Sequence, residues 1–173
     1  MPNKSYSIEH NNISDILHWI DKGTIGIPEM QRPFVWSTTQ VRDLIDSLYR
    51  GYPIGFIVTW QNPDASLKMG GKGQNKEIII DGQQRITALS AALMGKEIVD
   101  DKYLKKRIYI SFNPITEEFA TRSAAIAKDP KWIPDISIFS QPNFDEFEYV
   151  VNNTFGDTSS SKILLYKAFV IYA

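Results

Sequence analysis

Cysteine is absent from the 173 residues, and histidine occurs only twice, at His10 and His18. The first absence excludes disulfide scaffolds, thiolate zinc sites and cysteine nucleophiles. The second leaves too few imidazoles for a histidine-based metal nuclease centre within the chain. No apolar run approaches the ~20 residues of a membrane-spanning helix. Residues 1–12 are too polar for the apolar segment of a secretory signal, so a cytoplasmic location is expected. A strong charge of one sign is also missing. There are 19 Lys and Arg against 20 Asp and Glu, a net charge of −1, so the overall field does not advertise a nucleic-acid surface.

What is present is ordinary in bulk and uneven in detail. The length suits one domain with a sizeable core, and 43% hydrophobic with 23% charged residues is usual for a globular chain. Residues 61–110 hold nine Lys and Arg against six Asp and Glu, whereas residues 111–173 hold five against eight. A local basic patch could therefore meet phosphate while the total stays near neutral. A solvated surface with chance clustering would look the same.

Ile13, Ile16, Leu17 and Ile20 recur at helical spacing, with Asn12 placed to cap the start and Gly23 to close the end, so a short helix is expected over 13–22. Pro28 and Pro33 keep the following stretch, 26–36, extended. Ser37-Thr38-Thr39-Gln40 is a capping box, flanked by Trp36 and Val41 as a hydrophobic staple. Val41, Leu44, Ile45 and Leu48 then continue a second helix to Gly51. Residues 54–60 are β-branched and aromatic and read as a strand. The Gly-rich residues 62–76 read as a long flexible loop, and 77–80 as a short buried strand. Helical spacing returns over 84–94 through Ile86, Leu89 and Leu93, with Ala88, Ala91 and Ala92 adding propensity. A strand is expected over 107–112, paired with 118–121 across the Asn113-Pro114 turn. Helices are expected over 144–153 and 162–172. The last ends without a closing signal, which reads as a chain cut from a longer protein.

The order strand, Asp81-Gly82-Gln83-Gln84-Arg85, helix is the most informative feature. A helix N-terminus presents free N–H groups at the positive end of the helix dipole. Gly82 permits a tight turn and close approach of a ligand. Arg85, one turn in, can fork onto phosphate oxygens, and Gln83 and Gln84 add neutral donors and acceptors. Together they compose an anion site. Asp81 could orient Arg85, hold a metal ion or position a water. The same residues admit a plainer reading, with Asp81 capping the helix and Arg85 solvated at the surface. Gln31 and Arg32, between the rigid flanks Pro28 and Pro33-Phe34-Val35-Trp36, could be held at a fixed place, or the segment could be a strut with its aromatics in the core.

The two blocks together, Ile27-Pro28-x-x-Gln31-Arg32-Pro33-x-x-Trp36 and Ile80-Asp81-Gly82-Gln83-Gln84-Arg85-Ile86-Thr87, resemble the N-terminal domain of GmrSD-type modification-dependent restriction enzymes. Tyr52-Pro53-Ile54-Gly55 between them is also similar to that family. The resemblance covers residues 13 to about 112 well and is weak beyond. It implies a ParB/sulfiredoxin-like α/β (α+β) domain over 1–129, with a small mixed sheet and surrounding helices, and a helical extension over 130–173. It implies binding and hydrolysis of a nucleoside triphosphate with a divalent cation, expected to be Mg2+, which regulates cleavage of modified foreign DNA. Asp81 and Arg85 would take the hydrolytic position and Asp81 the metal. Gly82, Gln83, Gln84 and Arg85 would bind the phosphates, with Gln31 and Arg32 facing them. DNA cleavage would belong to a nuclease domain or a partner chain, since nothing here supplies one. The alternative function is a non-enzymatic DNA-binding module using Arg32, Arg85, Lys68, Lys72 and Lys76. A scaffold role with purely structural motifs is the third reading.

Overall fold

The computed structural model describes residues 6–28, 33–61, 67, 76–145 and 148–149. The loop expected over 62–76, the helices expected over 144–153 and 162–172, and the side chains of Gln31, Arg32, Lys68 and Lys72 lie wholly or largely outside the described residues. Among the described residues the fold is α+β. Three α-helices surround a small mixed sheet and two hairpin-like strand pairs.

Helix α1 (Ile13–Asp21) begins after Asn12, which has the extended backbone of a cap residue but makes no side-chain capping bond. Its chain then closes through Gly23 N–H to Ile20 and Thr24 N–H to Trp19. Helix α2 (Thr38–Tyr49) carries the complete capping box: Gln40 N–H donates to the Ser37 hydroxyl at 3.2 Å, and Ser37 N–H donates to the Gln40 side chain at 2.8 Å. Helix α3 (Gln83–Leu93) starts one residue earlier than the spacing predicts.

The sheet is built from β1 (Ile25–Gly26), β2 (Val58–Gln61) and β3 (Glu77–Asp81), in the order β1-β3-β2. Strand β1 runs parallel to β3, and β2 runs antiparallel to it. The register slips between Val58, opposite Asp81, and Thr59, opposite Ile79, so Ile80 is the extra residue of a bulge. The strand expected over 54–60 therefore starts late. Gly55 has a left-handed φ of +87°, and the Ile54 carbonyl is taken by a side chain and not by a neighbouring strand. Two further pairs follow, β4 (Ile98–Val99) with β5 (Lys105–Lys106), and β6 (Ile110–Asn113) with β7 (Glu118–Thr121). The second pair is the one the sequence predicts, although β6 begins three residues later, after Arg107 has turned to the Gly95 carbonyl, Asp135 and Ser137.

Helix α3 is the central element. Gln83, Gln84, Ile86 and every residue from Ala88 to Leu93 are buried, which is the signature of a helix enclosed on all sides. Ile86 joins Ile20, Ile25 and Ile79 in a small core under the sheet. Leu89 and Leu93, with the small side chains Ala88, Ala91 and Ala92, join Val41, Ile45, Phe112 and Phe119 in the main core. Ile133, which bridges to Phe112, and Ile136 and Phe139, from a short 3-10 segment, Ile136–Ser140, pack into the same core. The sheet and the main core thus pin α3 from both sides and fix where its first turn points.

Candidate functional site

The N-terminal turn of α3 opens into a cavity of ≈ 330 Å³, lined by Trp36 and by each residue from Ile80 to Arg85. That is at the lower end of the range for small-ligand sites. The bulge explains one wall. Displaced from the regular ladder, Ile80 is 53% exposed although it sits in a strand beside fully buried Ile79. Bulges are common beside functional sites because they re-aim a side chain.

The floor is main chain. Gly82 occupies the cap position with φ +93°, and no side chain caps the helix. The first internal bond runs from Ile86 N–H to the Gly82 carbonyl at 3.0 Å. Among the described residues, the N–H groups of Gln83, Gln84 and Arg85 therefore have no acceptor. The capping role considered for Asp81 is not the one it takes. Gly82 also has no room for a side chain: a Cβ there would run into Ile57 Cδ1 and come within 3.3 Å of the Arg85 Nη2.

Asp81 and Arg85 form an ion pair of 3.1 Å between Oδ2 and Nη2, one helical turn apart. The pair is lopsided. The Arg85 side chain is 16% exposed and the Asp81 side chain 71%. Nη1 of Arg85 donates to the Ile54 carbonyl at 2.9 Å. Gly55 supports this from the other side, since a Cβ there would lie 2.7 Å from Nη1. The guanidinium is thus held between the α-carbons of two left-handed glycines, and among the described residues its remaining N–H groups have no acceptor. Arg85 is not the solvated surface residue of the plainer reading.

The two glutamines part company. Gln83 is 7% exposed, lines the cavity, and has no side-chain hydrogen bond among the described residues. Gln84 is 8% exposed, and its amide turns away: Oε1 accepts from Val35 N–H at 3.0 Å and Nε2 donates to the Pro33 carbonyl at 3.1 Å. Its side chain is therefore engaged by the first motif, while its main-chain N–H stays in the floor. The structure in this way joins the two sequence blocks directly. Gln31 and Arg32 lie outside the described residues. His18 is exposed on α1 and does not line the cavity.

Two contributors were not singled out from the sequence. One is the Ile54 carbonyl, which receives Arg85, and the other is Ile57, which closes over Gly82. The signal available was Gly55, an awkward residue inside a β-branched run.

A family profile for the "GmrSD restriction endonuclease, N-terminal domain" matches residues 13–171. The chain belongs to this family. Membership extends past residue 112, where the motif resemblance fades, and so includes the segment that packs Ile133, Ile136 and Phe139 into the main core. Among curated proteins, the chain is similar to "Uncharacterized protein MJ0686" of Methanocaldococcus jannaschii, at 27% identity over 139 residues. The match covers 71% of this chain and 24% of that protein, so this GmrSD-family domain spans about a quarter of the relative's length. Among the described residues, no helix is long and apolar enough to cross a membrane, and no three His, Asp or Glu side chains gather as a metal cage.

Proposed function

We propose that this domain binds and hydrolyses a nucleoside triphosphate and thereby regulates a type IV restriction-like DNA-defence protein. The observation that carries the reading is the uncapped N-terminus of α3 on the floor of the cavity. Its amides and the Gln83 side chain, which have no partner among the described residues, and the enclosed Arg85 form a site rich in donors, with the Asp81 carboxylate at the rim. Oxygen-rich anions suit such a site, because free helical N–H groups and the helix dipole both favour negative charge. Membership in the GmrSD N-terminal family supports the defence setting.

The residues fit a triphosphate in chemistry. The amides of 83–85 would cradle phosphate oxygens, Gln83 would donate an amide hydrogen, and the spare N–H groups of Arg85 would offset charge developing during phosphoryl transfer. Asp81 is a lone, exposed carboxylate at the rim. It would help hold Mg2+, which commonly takes one or two carboxylates together with substrate phosphates. The ion would supply further charge neutralisation. In the same reading, Gln31 and Arg32 complete the site, and cleavage of modified foreign DNA belongs to a nuclease domain or partner chain.

Calorimetric titration with ATP, GTP, CTP and UTP in Mg2+ tests the reading, together with phosphate release. Binding by the wild type and its loss in Arg85→Ala and Gly82→Ala are the expected results. Absence of binding to all four by a folded wild type overturns it. The DNA-module alternative is less well supported, since Arg85 is enclosed and not presented on an open face. Salt-dependent DNA binding without nucleotide turnover would restore it.

A further inference from the structure

Gln84 invites a role of its own. Its amide spans the Pro33 carbonyl and the Val35 N–H, 51 and 49 residues away in sequence. These two groups flank Phe34 and point to one side of an extended chain, so the amide replaces a neighbouring strand. The segment needs such a substitute. Pro33 has no N–H to offer a ladder, and the opposite edge is served by Phe34 N–H donating to the Val99 carbonyl at 3.3 Å. Phe34 itself is 3% exposed in the main core. Backbone 33–35 is therefore held on one edge by β4 and on the other by a single side chain from the first turn of α3. Trp36, the next residue, is a wall of the cavity whose floor is that same turn.

We propose that Gln84 is a positioning residue: through its side chain it sets the distance between the Trp36 wall and the amide floor, and it acts on a bound nucleotide through that wall. This rests on the nucleotide reading of the site. Adjacent and chemically identical, Gln83 and Gln84 both line the cavity, but among the described residues only Gln84 ties its amide to another segment. A buried amide with both bonds satisfied is also costly to disturb, because removing it leaves the Pro33 carbonyl and the Val35 N–H without partners.

The test is a double-mutant cycle on nucleotide binding, read by calorimetry with MgATP and MgGTP. Gln84→Met keeps length and removes both hydrogen bonds, and Trp36→Leu removes the wall. If Gln84 acts through Trp36, each single variant weakens binding by about tenfold and the double variant is no weaker than either single, a full coupling between contacting residues. Independent losses multiplying to about a hundredfold would instead mean that Gln84 contacts the ligand itself, and would overturn the proposal. Wild-type affinity in Gln84→Met would overturn it as well, with the nucleotide reading intact. A wild type that binds no nucleotide overturns that reading first. Should Gln84→Met fail to fold by circular dichroism, Gln84→Glu serves in its place. It keeps the acceptor for Val35 and sets oxygen against the Pro33 carbonyl, and the same coupling with Trp36→Leu is expected.

Discussion

Arg85 donates through Nη1 to the Ile54 carbonyl at 2.9 Å, across 31 residues of chain. A side chain expected to reach for a ligand is thus first a fastener of its own fold. The contact takes the Ile54 carbonyl, so that β2 starts only at Val58, fixes the bend bearing Gly55, and holds the guanidinium in one orientation. Preset donors of this kind lose little freedom on binding.

Gly55 and Gly51 offer a controlled comparison. Both have left-handed φ values, +87° and +72°, but a Cβ on Gly51 would meet nothing within 4 Å. Each substitution to Ala incurs the left-handed penalty of roughly 1–2 kcal/mol. Gly55→Ala additionally pushes Arg85 off Ile54, and is expected to cost a further ~1–3 kcal/mol through the unpaired carbonyl. Urea denaturation of the two variants reads the difference. Equal midpoints would mean that the glycine does not support the guanidinium.

Phe112 is fully buried, and its ring centroid lies 5.6 Å from that of Tyr49 and 4.6 Å from that of Phe119. Phe112→Ala is expected to destabilise by about 3–5 kcal/mol. Leu104→Ala, at a residue 61% exposed, should stay within about 0.5 kcal/mol. Thermal and chemical unfolding of both proteins check whether α2 and the β6–β7 pair share one core.

Lys96, just past α3, bonds Asp21 at the end of α1 at 2.6 Å. The hydrogen bond and charge of Lys96 hold the Asp21 carboxyl below its ordinary value of 3.8. With the folded value depressed, the unfolded chain takes up the proton first as pH falls. The contribution is therefore present above pH 3.8 and fades as pH drops through the lower folded value. Both groups are largely in water, so Asp21→Asn should cost less than ~1 kcal/mol near neutrality at low salt. The difference from wild type should vanish well below the ordinary carboxylate value. A gap that is unchanged in acid would refute the ion pair.

Tyr49 responds at the other end of the scale. Burial first, and the Glu117 carboxylate second, push its phenol up to about 12 from 10.0. Between these values the unfolded chain loses the proton and the folded one keeps it, so stability falls as pH rises through that window. Tyr49→Phe keeps the ring contacts with Phe112 and Phe119, and should flatten this alkaline loss. Urea midpoints at pH 9 and above read it, and an equally steep decline in the variant would place the titration elsewhere.

Much of this fold was legible because the cues were local. Ser37 and Gln40 announce α2, the spacing of Ile13, Leu17 and Ile20 announces α1, and Asn113-Pro114 announces the β6–β7 turn. The two-residue strands β4 and β5 were not, since Ile98-Val99 and Lys105-Lys106 are too short to carry a period. Asn12 looked like a capping side chain and is only a capping backbone. In the site, the placing of Gly82, Gln83 and Arg85 at one helix start followed from the strand–turn–helix order. The division of labour between Gln83 and Gln84 did not, because identical side chains one residue apart differ only in the direction that the helix turns them. Equally hidden was Ile54, whose role lies in its carbonyl and not in its side chain.

Helix α3 is enclosed from Ile86 to Leu93 by two cores. Its first turn is consequently an abutment set in masonry, not a latch. Whatever lodges against it cannot signal by tilting the helix. Any mechanical message from an occupied cavity must leave through the Trp36 wall or, by way of Arg85, through the Ile54-Gly55 bend, which are tied to α3 by one glutamine amide and one guanidinium.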